Sequence, residues 1–165
     1  MSISNLEDLF LHELRDVLDA ERQITKALPK MKKAATSEDL KAALDEHLAV
    51  TEEQIERLES VFKSLDKAAR GKHCSGMEGL IKEADELIKE EEPSAALDAA
   101  LICAAQKVEH YEIAAYGSLA TYAELLELED AKDLLGETLN EEKETDEKLS
   151  TIASSLNLVA QEQGA

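Results

Sequence analysis

Residues 68–93, AARGKHCSGMEGLIKEADELIKEEEP, decide how the rest of the chain is assembled. The stretch opens on the most turn-like part of the sequence, ARGKHCSG with its two glycines, runs into the amphipathic piece MEGLIKEADELIKEEE, and stops at Pro93. On both sides of it, apolar residues repeat at helical spacing. Upstream, a first segment begins after Ser4 or Asn5, either able to cap it, and carries Leu6, Leu9, Phe10, Leu14, Val17, Leu18, Ile24 and Leu28 on one side. Pro29 is expected to kink this helix rather than end it, because KMKKAA continues with good helix formers. Thr36 and Ser37 read as the next cap, and a stripe from Leu40 through Leu44, Leu48, Ile55, Leu58 and Phe62 to Leu65 carries a second segment to about Lys67.

Downstream, Ser94 caps a third segment with Leu97, Leu101, Ala104, Ala105, Val108, Ala115 and Leu119 in its stripe. After a break near LELED, with Asp130 as the expected cap, a fourth carries Leu134, Leu135, Leu149, Ile152, Ala153 and Leu156, and the tail QEQGA is expected to fray. Two helix pairs with short internal links and 26 residues between the pairs predict an all-α four-helix bundle with one long crossover that contains a short extra helix. That is the connectivity of ferritin-like folds; an up-down bundle would not need so long a middle connection.

Composition agrees with this and narrows the function. The chain has 165 residues, read as a single domain over 1–165, with only six Gly, two Pro and no Trp, and 44% hydrophobic content too rich for a disordered acidic chain. Eighteen Lys and Arg against 37 Asp and Glu leave a formal charge of -19, which disfavours nucleic acid and anionic membrane surfaces and favours cations as partners. Cys74 and Cys103 have no metal-finger spacing, the N-terminus has no basic start followed by an apolar run, and no stretch approaches 18 apolar residues. The expectation is a cytoplasmic protein of a reducing compartment.

Some acids stand where a helical wheel puts apolar residues. Glu21 lies between the directions of Val17, Ile24 and Leu28, Glu112 between Val108, Ala115 and Leu119, and Glu142 between Leu135, Thr138 and Leu149. Glu109 stands one turn before Glu112 at the edge of its stripe, and Asp146 has the same relation to Glu142. The second segment has no inward acid; His47, Thr51 and Gln54 occupy its stripe instead. Counting back from the turns puts Glu21 level with residues 50 and 51, and Glu112 level with Glu142 to within about 3 Å at 1.5 Å rise per residue. Several carboxylates in one core repel one another and are costly to desolvate, so protons or a cation must offset them. Hard or borderline metal ions do so. Glu13, Asp146 and the many outward acids such as Glu53 read as ordinary surface, as do His12, His73 and His110, of which His12 and His73 have no evident partners. His47 reads equally as a ligand or as a core histidine orienting one. Tyr111 and Tyr116 flank the acids as packing and hydrogen-bonding residues.

LEDLFLHELRDVLDAERQITKALPKM, EHLAVTEEQIERLE, MEGLIKEADELI, AAQKVEHYEIAAYGSLA and ETLNEEKETD together resemble the YciF/YciE family of bacterial stress-associated proteins in the ferritin-like superfamily. The likeness runs through almost the whole chain, and VEHYEIAAYG is its most specific part. It implies a ferritin-like bundle, a homodimer rather than a cage, and a dinuclear metal site. The site carries over onto Glu21, Glu109, Glu112 and Glu142, with His47 and Gln54 on the second helix as further members; His47 is counted with the ligands, and Gln54, Thr51, Asp146 and Tyr116 with the residues around them. Two divalent ions are implied, iron first, with manganese or zinc compatible with the ligand types. The Glu-x-x-His pairs of the wider superfamily are missing: Thr51-x-x-Gln54, Glu109-x-x-Glu112 and Glu142-x-x-Thr145 stand in their place. Three functions compete on this reading. The first is a stress-response protein that binds metal, the second a di-metal enzyme acting on peroxide or dioxygen, and the third a metal-free structural or partner-binding bundle.

Overall fold

The structure, a computed structural model, describes residues 3–163 and is all-α. Four long helices, α1 (Leu6–Ala34), α2 (Glu38–Ser64), α4 (Ala95–Leu125) and α5 (Glu129–Gln163), form the bundle, and the shorter α3 (Ser75–Glu90) lies in the crossover. This is the ferritin-like four-helix bundle that the 68–93 stretch predicts. α1 pairs with α2, α4 pairs with α5, α2 meets α5, and α3 packs on α1 and α4.

The helices start where short polar side chains can satisfy their first amides. Asn5 accepts from the Asp8 amide at 2.8 Å, Ser37 from Leu40 at 3.3 Å, and Ser94 from Leu97 at 3.1 Å. Cys74 caps α3, its sulfur accepting from the Met77 amide at 3.4 Å. α1 runs unbroken through Pro29, whose ring is exposed. Several boundaries differ from the sequence reading. α3 starts at Ser75 and ends at Glu90, where MEGLIKEADELIKEEE spans 77–92. α2 ends at Ser64, α5 begins at Glu129 so that Asp130 lies inside its first turn, and α5 stays helical through Gln163; of the QEQGA tail, Gly164 and Ala165 lie outside the described residues.

α3 is fastened to the bundle by one small network. The Tyr111 hydroxyl donates to Asp16 at 2.6 Å and lies 3.0 Å from the Cys74 sulfur. Asp19 accepts from the Cys74 amide at 2.9 Å and from Gln23 at 2.7 Å. Gly76 lies close under Tyr111 at the start of α3: a Cβ there would stand 3.0 Å from the Tyr111 ring, which would have to shift to admit it. His73, expected to lack partners, lies 3.1 Å from Glu78 and 3.6 Å from Asp19, and His12 lies 3.1 Å from the Lys72 ammonium. The crossover folding back onto α1 supplies the Asp19 and Lys72 contacts, which linear spacing hides; the Glu78 contact is local to the crossover.

The apolar interior is divided. One cluster gathers Ile24, Leu28, Leu44, Leu101, Val108 and Leu149, and the other Phe10, Leu18, Leu58, Phe62, Tyr116 and Leu135. On every long helix the residues between the two clusters are polar and buried: Glu21 on α1; His47, Thr51 and Gln54 on α2; Glu109 and Glu112 on α4; Thr138 and Glu142 on α5. Among the described residues, no helix is long and apolar enough to cross a membrane.

Candidate metal centre

Each helix turns its polar residue inward because the stripe on which it sits is otherwise apolar and must be buried. The result is a carboxylate layer with almost no access to water: Glu21, Glu109 and Glu112 are fully buried and Glu142 is 1% exposed. Donor atoms of His47, Glu109, Glu112 and Glu142 lie within 4.8 Å of one another. Glu21 faces the same group from α1, near enough to feel the Glu142 charge. Of the residues named from sequence, the structure brings His47, Glu109, Glu112 and Glu142 into one group, with Glu21 buried beside them.

Few donors meet these acids. Tyr116 donates its hydroxyl to Glu21 Oε1, and Gln54 Nε2 donates to Glu142 Oε1 at 2.5 Å. Both oxygens of Glu109, both of Glu112, Glu21 Oε2 and Glu142 Oε2 are buried without a hydrogen-bond donor, as is the Nε2 atom of His47. His47 Nδ1 stands 3.3 Å from Glu109 Oε1. Burial pushes the imidazole down to about 4, so it is neutral near pH 7 and offers a lone pair. Burial, then the Glu142 charge, raises Glu21 to about 8. Glu109 and Glu112 are pushed well above the usual carboxylate range, first by burial and then by their acidic neighbours, and burial also raises Glu142. Without a cation the layer must hold protons.

The donor set fits a hard or borderline cation: four carboxylates and one imidazole, converging from four helices, with most of their lone pairs unspent. Of the surrounding residues named from sequence, Gln54 and Tyr116 touch the acids directly. Thr51 is buried, but its hydroxyl donates to the His47 carbonyl at 2.9 Å. Asp146 stands aside, accepting from Gln106 at 3.0 Å with the exposed His110 3.5 Å away. Sequence reasoning missed Arg57, which holds Glu141 through two hydrogen bonds of 2.8 and 2.9 Å beside the layer. The available signal was that Arg57 is the only Lys or Arg between Lys41 and Lys63.

A ferritin-like bundle with a buried carboxylate and histidine layer is the class these features define. The family model described as "Domain of unknown function (DUF892)" matches residues 5–162, and the chain belongs to that family. It is 51% identical to Protein YciF of Escherichia coli strain K12 over 155 residues, 93% of each chain. The crystal structure of the E. coli stress protein YciF superposes with a TM-score of 0.90 at 48% identity, covering 93% of this chain and 98% of that one. YcfI of Rhodopseudomonas palustris, described as a candidate structural protein, gives 0.89 at 51% identity over 91% and 96% of the two chains. At 17% identity, a Xanthomonas campestris protein (XCC3681) shares the fold with a TM-score of 0.79 over 97% and 99% of the chains.

Proposed function

We propose that this YciF-like protein binds metal as part of a stress response, holding two divalent ions, iron before manganese or zinc, in the buried layer. Glu21, Glu109, Glu112, Glu142 and His47 are the ligands. The observation that carries this reading is the set of buried carboxylate oxygens without donors on α1, α4 and α5, joined by the unpartnered His47 Nε2 from α2. Four carboxylates also match the charge of two divalent ions, so loading replaces protons that the layer must otherwise hold. Bound ions would supply charge neutralisation and, if redox-active, a place for peroxide or dioxygen to react. The chain's own residues orient the donors: Tyr116 fixes Glu21, Gln54 fixes Glu142, and neutral His47 keeps a lone pair available. Binding without turnover is favoured over catalysis because one imidazole among four carboxylates is a weak set for sustained oxidation chemistry.

A structural role is the second reading, supported by the description of the Rhodopseudomonas relative; protonated acids would then hydrogen-bond one another. Elemental analysis of protein purified without added metal separates the two. About two ions per chain, lost in a Glu21→Ala, Glu112→Ala double variant that keeps its helical circular dichroism, is the expected result. A metal-free wild type that also refuses added Fe(II), Mn(II) and Zn(II) defeats the proposal. We further propose a homodimer, supported by the exposed Leu158 and Val159 near the end of α5; a monomer mass by light scattering would refute it.

A further inference from the structure

The buried layer is covered on one side and latched on the other. α3 packs across α1 and α4, which leaves the seam between α2 and α5 to side chains. Carboxylates descend along that seam from solvent to the layer: the side chains of Glu137 and Glu141 are 61% and 26% exposed, and Glu142 is 1% exposed. A single amide joins the outer acid to the inner one, since Gln54 Nε2 donates to Glu141 Oε2 at 3.1 Å and to Glu142 Oε1 at 2.5 Å. Gln54 Oε1 and Glu142 Oε2 are buried without partners, so unspent acceptors wait at the inner end.

Arg57 sits across this line. Its guanidinium grips Glu141 with both nitrogens, donates to Thr138 Oγ1 at 2.7 Å, and lies 3.3 Å from Glu137. A cation built into the chain therefore occupies the carboxylates that an incoming cation would meet first. The pair is partly solvated, so parting it costs little compared with breaking a fully buried one. We propose that the α2–α5 seam is the route by which a divalent cation reaches the buried layer, with Glu137 and Glu141 as stations and Arg57 as the latch that leaves Glu141 to let the ion pass. The inference rests on the metal-binding reading. The rival opening is a cleft of about 30 Å³ beside His47, where Lys148 pairs with Glu46.

Stopped-flow mixing of the metal-free full-length chain with Co(II), followed by cobalt's visible absorption, tests the route, and equilibrium dialysis gives the end point. Arg57→Gln should speed uptake about three- to tenfold with unchanged stoichiometry, and Glu141→Gln should slow it comparably, as expected where charges focus a cation. Lys148→Gln should leave the rate alone. Glu137→Gln, on an exposed side chain, should slow uptake at low salt and not at high salt, and it carries the test if Arg57→Gln does not fold. Wild-type rates in the Arg57, Glu141 and Glu137 variants overturn the route. So does acceleration by Lys148→Gln alone, or loss of Co(II) capacity in Arg57→Gln, which would make Arg57 a support of the site's shape. A wild type that binds no Co(II) defeats the metal-binding reading itself.

Discussion

A buried carboxylate can be satisfied by donors or left short of them, and this chain holds both kinds. Asp98, 1% exposed, accepts from the Thr36 amide at 2.8 Å, the Thr36 hydroxyl at 2.6 Å and the Ser37 amide at 2.8 Å, tying the α1–α2 turn to α4. Glu109 and Glu112 accept no such donor. Asp98 is therefore structural, and Asp98→Ala should cost about 2 kcal/mol by leaving two amides without their charged acceptor. Urea unfolding measures the loss, and metal content per folded chain should not change; a variant as stable as wild type would show that the turn holds itself. The contrast explains what was legible. Glu21, Glu112 and Glu142 stand out in sequence because each interrupts its own helix's apolar stripe. Asp98 lies in the first turn after Ser94, where an acid is expected for the helix dipole, and its partners are 61 and 62 residues upstream. Arg57 and Glu141 escape for the same reason, since their pairing spans 84 residues.

At the scale of elements, helix starts were easier to read than helix ends. Asn5, Ser37 and Ser94 announce themselves by type, whereas α2 and α4 end on the same motif without its usual glycine. Asp66 and Glu127 take φ of 53° and 58° in the left-handed region. The Lys67 amide then returns to the Phe62 carbonyl at 3.0 Å, and Leu128 to Ala123 at 2.9 Å. A non-glycine residue there carries a steric cost of about 1–2 kcal/mol, though Asp bears it more easily than Glu. Glu127→Gly should therefore stabilise the protein by about 1 kcal/mol, read as a higher denaturant midpoint at unchanged slope, with the metal layer untouched. A lowered midpoint would mean that the gain in unfolded-chain entropy outweighs the relief of strain. Asp130, read as the cap of the last helix by its type, instead lies inside the first turn of α5, which begins at Glu129.

Across the whole molecule, the polar layer between two apolar clusters makes stability depend on pH in an unusual sense. Most of the 37 acids are on the surface and give the chain its charge of -19, but burial pushes the carboxyls of Glu21, Glu109, Glu112 and Glu142 upward. An acid whose pKa is higher in the fold than in the unfolded chain keeps its proton longer when folded, so between the two values the native state binds more protons and stability falls as pH rises. For Glu21 that window runs from the ordinary 4.5 to about 8, and Glu109, Glu112 and Glu142 move the same way. Metal-free protein should thus be most stable near the acid end of the window and lose on the order of 5 kcal/mol by pH 8, visible as a falling thermal midpoint. Glu112→Gln removes one of the titrating charges and should flatten the slope while preventing full metal loading. Excess metal should reverse the trend, because the ions bind the carboxylates without their protons and so bind more tightly as pH rises. A metal-free midpoint that stays level from pH 5 to 8, in wild type and Glu112→Gln alike, would mean that water reaches the layer and that the acids ionise there without a cation.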